Sequence, residues 1–259
     1  MIEMQLNVSH ISVLLIFFTL LLLAVLCAVV YLGFMLKRRT SRIEERFKFL
    51  HNHVWDTLLL SSLMPPGPYL PHPSGWAAST DLLVEAVRRI QSKSPGIVVE
   101  LGSGLSTVVI ASALMKNGKG KLISIEHDKA YAEKSYNRIV SAGLVEYVDI
   151  RVCPLVGQEM AGKSKWYDTA YLDEIDNVDL LIVDGPPALF DERIRFPALP
   201  FFSVRMAKDG VMIFDDTNRD GEKGFINDWL KKNGNIDVEW LPLEKGAAVL
   251  SGFVRPDES

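Results

Sequence analysis

The pattern of apolar and polar positions divides this chain into two regimes. From Ile11 to Leu36, 26 consecutive residues lack Asp, Glu, Lys, Arg and His. As a helix rising 1.5 Å per residue, such a run reaches roughly 39 Å, more than the ~30 Å hydrocarbon core of a bilayer. Tyr31 stands toward its C-terminal end, and Lys37, Arg38, Arg39 and Arg42 follow at once. A cleaved signal peptide needs a basic N-terminal flank and an apolar stretch of about 7–15 residues. Here the stretch is too long and the flank before it carries Glu3. The run predicts a transmembrane helix over 11–36. The positive-inside rule then places the short tail 1–10 outside and residues 37–259 in the cytoplasm.

Beyond the basic cluster the periodicity changes. Ile43, Phe47, Leu50, Val54 and Leu58 recur at three- and four-residue steps, which predicts an amphipathic helix over 41–63, packed on a domain or lying on the bilayer. His51 and His53 fall on different faces of that helix and so cannot share a metal. A Pro-rich loop containing Pro65, Pro66, Pro68, Pro71 and Pro73 ends it. His72 in this loop reads as a surface histidine, with closure over a nearby site as the alternative. The juxtamembrane segment is thus 37–73, and a domain over 74–259 follows.

Within that domain, apolar runs Ile97–Leu101, Leu122–Ile125, Val148–Val152, Val178–Val183 and Val211–Phe214 alternate with helical patterns. The helices are Ser79–Gln91, Ser106–Met115, Lys129–Ala142, a stretch near Pro197–Met206 and Glu222–Lys232. This alternation predicts an α/β fold, a mostly parallel sheet covered on both faces. Ile236–Leu241 and Ala247–Val254 have no helix between them and predict an antiparallel hairpin at one edge. Asp149 and Arg151 alternate with Val148, Ile150 and Val152, the pattern of a half-exposed strand.

Composition narrows the function classes. The 259 residues are 48% apolar and 23% charged, with a net charge of −4. That excludes a disordered chain, and the absence of a basic excess argues against a nucleic-acid partner. Two cysteines exclude a disulfide scaffold or a Cys-rich zinc protein, and Cys153 reads as a small buried residue.

Candidate chemistry gathers where the apolar runs end. Val98 to Thr107 reads VVELGSGLST at a strand-to-helix junction. Gly102 and Gly104 let backbone approach a ligand there, and the helix N-terminus carrying Ser103, Ser106 and Thr107 favours a negative group. Glu126 closes the next strand, followed by His127, where an acidic side chain accepts both ribose hydroxyls of a nucleotide. Thr107 occupies the third position of the G-x-G-x-x-G dinucleotide pattern, which disfavours a nicotinamide-dependent reductase. Glu100 would repel a pyrophosphate, whereas the ammonium of S-adenosylmethionine can pair with it.

On these residues the chain resembles the class I S-adenosylmethionine-dependent methyltransferases. The segments Glu100–Thr107 and Ile123–Asp128 are similar to that family's first two cofactor motifs. VDGPP from Val183, RFPAL from Arg195 and DDTNRDGE from Asp215 resemble a bacterial-type subgroup. The resemblance spans roughly 74–254 and implies a Rossmann-like seven-stranded sheet with an antiparallel last strand, preceded here by the transmembrane helix. It implies a cofactor held by Glu100, Gly102, Ser103, Gly104, Ser106, Thr107, Glu126 and His127.

Asp184, Asp215 and Asp216 end apolar runs at the edge where open α/β sheets bind ligands. As catalytic residues they would either hold a divalent cation such as Mg²⁺ or supply a base directly. Catechol O-methyltransferase-like enzymes place an Asn where Asp216 stands and a lysine where Pro187 stands, which leaves the metal and the base open. Arg193 and Arg195 read either as contacts for an anionic acceptor or as partners of Asp191 and Glu192. Trp166 and Tyr167 read either as a flank for adenine or as packing. The chain is expected to be a membrane-bound O-methyltransferase whose acceptor is a lipid, a lipid-linked glycan or a small molecule. A non-catalytic cofactor-binding scaffold or sensor is the alternative.

Overall fold

The computed structural model describes residues 8–65, 78–157, 165–189 and 191–254. These fall into two units divided after Val54. The first consists of most of α1 (Val8–Leu63), one unbroken helix. Its apolar window, with mean hydropathy 3.3 and no part buried, is long and apolar enough to cross a membrane. The sequence pattern suggested two helices parted by the basic cluster. Gly and Pro are absent from 34–64, and the Lys, Arg, Glu and Leu found there are good helix formers, so nothing stops the helix at Lys37. Most of the Pro-rich loop, with His72, lies outside the described residues.

The second unit begins with the end of α1 and α2 (Thr80–Lys93). Then come β1 (Ile97–Leu101), α3 (Leu105–Asn117), β2 (Lys121–Glu126), α4 (Lys129–Ser141) and β3 (Val148–Val152). A small antiparallel pair, β4 (Leu155–Gly157) and β5 (Lys165–Tyr167), precedes β6 (Val178–Val183) and α5 (Ala198–Ser203). The chain closes with β7 (Met206–Asp215), α6 (Asp220–Leu230), β8 (Asp237–Leu241) and β9 (Ala247–Ser251). The seven-stranded sheet has the order β3-β2-β1-β6-β7-β9-β8. β3, β2, β1, β6 and β7 are parallel, and β9 runs antiparallel between β7 and β8. The hairpin expected at one edge is therefore present, with its second strand innermost.

Strand alternation sorts the core onto the two faces of the sheet. Val98, Leu180, Ile182, Val211 and Ile213 pack with α2, α3 and the last turn of α1 through Leu60 and Leu63. Val99, Leu101, Leu181, Val183, Met212 and Phe214 face α5, α6, Trp166 and Tyr167. α3 is apolar nearly all round, as a helix enclosed on most sides must be. Two elements depart from the sequence reading. The helix near 197–206 is only Ala198–Ser203, and β7 starts five residues before Val211, across a register shift. Trp166 and Tyr167 of β5 are fully buried and pack in this second core.

Candidate active site

The carboxyl ends of β2, β1, β6 and β7 are neighbours in the sheet, and successive connections leave in opposite directions at β1 and β6. A crevice opens at such a switch point. Its floor is two loops pressed together. The Gly102 amide donates to Ile125 O at 2.8 Å, and the Gly185 amide donates to Leu101 O at 2.6 Å. Gly102 adopts φ +97°, and a Cβ there would stand 3.2 Å from the Gly185 amide nitrogen. A Cβ on Gly185 would meet Gly102 and the Tyr167 hydroxyl at 3.0 Å. These glycines let two loops meet as well as leaving room for a ligand.

Beneath the first loop sits Glu100, with no exposed surface. Its Oε2 accepts from Thr107 Oγ1 at 2.7 Å and Ser124 Oγ at 2.8 Å, while Oε1 is buried without a partner. Thr107 Oγ1 in turn accepts from the Gly104 amide at 2.9 Å. Burial lifts the Glu100 carboxyl to about 7 against the opposing pull of the Ser106, Thr107 and Ser124 hydroxyls. Through Thr107 and Ser124, Glu100 underpins the glycine loop from below.

Glu126 lies at the end of β2 and binds both flanking loops. Oε2 accepts from the Ser103 amide at 2.9 Å and from Ser103 Oγ at 3.4 Å. Oε1 accepts from the Asp128 amide at 2.8 Å and pairs with His127 Nδ1 at 2.8 Å. Burial raises this carboxyl, but the His127, Asp128 and Ser103 donors outweigh it and hold it below its ordinary value. Asp128 also caps α4 by accepting from the Ala130 and Tyr131 amides.

On the other side of the crevice, Asp184, Asp215 and Asp216 converge. Each offers one oxygen, and these oxygens lie within 4.8 Å of one another. Asp216 takes φ +64°, the left-handed region that Asn and Asp tolerate best among side-chain-bearing residues. Both Asp215 oxygens are buried without a hydrogen bond of good geometry. Burial, then Asp184 and Asp216, lift the Asp215 carboxyl to about 8, against smaller opposing effects of the Asp216 amide and Lys245. Asp184 is also raised, by burial first, although Arg195 opposes it.

Arg195 is the site residue whose place the sequence left open. Its guanidinium, 3% exposed, reaches Asp216 Oδ2 at 2.9 Å and Asp184 Oδ1 at 3.6 Å and donates through Nε to Pro186 O at 3.2 Å. It therefore ties the loop after β6 to the loop after β7, and neither Asp191 nor Glu192 holds it. Arg219 adds a second contact to Asp216 at 3.1 Å, the local ion pair visible in the sequence spacing. Arg193 instead lies over the Phe196 ring. Cys153 is buried and its thiol donates to Asp168 O.

Residues 99–217 match a family model described as a methyltransferase domain. A catechol O-methyltransferase of Niastella koreensis is 31% identical over 134 residues, covering 48% of this chain and 51% of the relative. The chain thus spans about half the length of that curated relative. Among solved structures, a Podospora anserina methyltransferase bound to S-adenosylhomocysteine superposes with a TM-score of 0.55 at 13% identity, covering 68% of this chain and 80% of the other. An O-methyltransferase of Streptomyces achromogenes, solved with S-adenosylmethionine, gives 0.54 at 16% identity, covering 69% and 82%. At these identities the likeness is one of fold.

Proposed function

We propose that the chain is a class I S-adenosylmethionine-dependent methyltransferase, as its methyltransferase-domain match over 99–217 supports, and that it transfers the methyl group of that cofactor to an oxygen acceptor, from a domain anchored at the cytoplasmic face of a membrane. One observation carries the reading: a glycine loop braced by Glu100 and Glu126 lies one strand away from three converging carboxylates, across the switch point.

The cofactor occupies the β1–β2 side. Glu126 accepts the ribose hydroxyls, which replace its weakest contact, the 3.4 Å Ser103 hydroxyl. The Gly102, Ser103 and Gly104 backbone lines the methionine end, and Ser106, Thr107 and His127 hold that backbone and Glu126 in place. Glu100 contributes through the Thr107–Gly104 link and through its negative charge beneath the loop.

Methyl transfer from a sulfonium is an in-line displacement, so the protein's work is to align the acceptor and take its proton. Asp184 and Asp215 are the carboxylates for that proton, and Asp216, held by Arg195 and Arg219, fixes the far wall. The three hard oxygen donors and the unpartnered Asp215 oxygens fit a divalent cation of the Mg²⁺ or Mn²⁺ kind. When bound at Asp184, Asp215 and Asp216, such an ion lowers the pKa of a coordinated hydroxyl.

The anchor is residues 11–36, and it concentrates the domain where a lipid, a lipid-linked glycan or a small molecule of a membrane pathway is presented. The test is incubation of membranes containing the full chain with methyl-labelled cofactor, followed by separation of lipid, glycan, protein and small-molecule fractions. Label transfer that depends on Glu126 and Asp215 supports the reading. Absence of transfer to every fraction, with cofactor bound, favours a non-catalytic binding protein.

A further inference from the structure

Residues 43–54 of α1 carry an apolar stripe that nothing in their own unit covers. Ile43, Phe47, Leu50 and Val54 are 57% to 72% exposed and follow each other at four, three and four residues. That spacing is the d-a-d-a sequence of a heptad repeat, the period that keeps one seam facing a partner helix. The same register runs back through Thr40, whose hydroxyl donates to Leu36 O at 3.0 Å, and then Leu36, Gly33, Val29, Leu26 and Leu22, where Gly33 allows close backbone approach.

The other surface open to a juxtamembrane apolar face is the bilayer, and the helix itself argues against it. Lying on the bilayer surface requires a bend after the span, yet α1 is continuous from Val8 to Leu63 and 34–64 contains neither Gly nor Pro. Charge then selects a partner. The heptad puts Arg39 at g and Glu44 at e, and in a parallel pair g faces e of the following heptad in the other helix. Arg39 of one copy therefore meets Glu44 of its twin, twice by symmetry. An antiparallel pair would set g against g and e against e, opposing like charges. Among the described residues, neither Arg39 nor Glu44 is paired within its own chain.

We propose that residues 40–54 form a parallel two-stranded coiled coil with a second copy of this chain. The parallel sense rests on the anchor reading above, because two copies inserted in one bilayer with one topology emerge side by side and codirectional. Two heptads are too short to hold a dimer from dilute solution, and confinement in the membrane supplies the effective concentration.

The test uses the full chain in native membranes, with Cys27→Ser to remove the exposed thiol. Leu50→Cys places a thiol in the seam, and Asn52→Cys places one at f on the outer face. Mild oxidation should cross-link the first at least about tenfold faster than the second, as knobs-into-holes packing brings d positions together. Arg39→Glu should reduce cross-linking at position 50, and Arg39→Glu with Glu44→Arg should restore it. Equal cross-linking at 50 and 52, or failure of the double exchange to restore it, overturns the coiled coil. Alkaline washing of the same membranes tests the anchor separately. A chain that resists extraction but cross-links equally keeps its anchor and loses its coiled coil. A chain released by the wash loses the anchor and, with it, the confinement on which the parallel coiled coil depends, so that result overturns both.

Discussion

Replacing Asp215 by Asn removes one buried charge from the carboxylate cluster. Asp215 moves from an ordinary value of 3.8 to about 8 on folding, through burial first and then the neighbouring Asp184 and Asp216 charges. A carboxyl raised in the folded state holds a proton that the unfolded chain releases. Its cost to stability is absent below the ordinary value and grows as pH rises toward 8. Each tenfold step is worth about 1.4 kcal/mol, so the ceiling is roughly 5–6 kcal/mol. Asp184 shares the same repulsion, so we expect Asp215→Asn to recover about 1–3 kcal/mol near pH 9 in chelator. For a domain of this size that is roughly 2–10 °C in Tm. Below about pH 4 the two proteins should melt together, because Asp215 is then protonated in the folded and unfolded chain alike and Asn mimics the protonated acid. Glu100, raised to about 7, adds its own slope in the same direction, but to both proteins equally. Excess Mg²⁺ should raise the wild-type Tm at the higher pH and leave the variant unmoved. The assay is thermal unfolding by circular dichroism across this range. A variant less stable than wild type at the higher pH in chelator, or a difference that ignores pH, refutes the electrostatic account.

Two further substitutions probe the frame of the site. Arg195→Met removes the buried guanidinium between Asp184 and Asp216; it should cost about 3 kcal/mol or more by urea unfolding and raise the Asp184 carboxyl further, because a buried charge loses its partner. Arg219, still 3.1 Å from Asp216, limits the loss there. Gly102→Ala meets both φ +97° and the Gly185 amide; it should cost about 1–3 kcal/mol in chemical unfolding and weaken cofactor binding in the same protein.

Much of this architecture is readable from local pattern. The parallel strands are runs of Val, Ile and Leu buried on both faces, and Val178–Val183 needs no context to be recognised. Glu126, Asp184 and Asp215 are legible because an acid closing such a run must sit at the sheet edge. The remainder depends on contacts across the fold. β4 and β5 are three residues each within a polar connection, too short for any period to show. Arg195 lies 21 residues from Asp216, and only the neighbouring placement of β6 and β7 brings them together. The basic cluster at 37–42 changes the charge along α1 without interrupting its backbone, so charge alone suggested a break that α1 lacks. Glu100 alternates correctly for a strand end, yet its orientation beneath the loop follows from Thr107 and Ser124 on two other elements.

The central claim is that the crevice beside β1 and β2 holds S-adenosylmethionine through Glu126 and the glycine loop. Calorimetric titration of that cofactor into the full chain in lipid nanodiscs, wild type against Glu126→Ala, tests it directly. We expect one saturable site in the wild type and an affinity lower by about ten- to a hundredfold in the variant, the loss of charge-assisted hydrogen bonds worth roughly 1.5–3 kcal/mol. No binding to the wild type, or equal affinity in the two proteins, would contradict it.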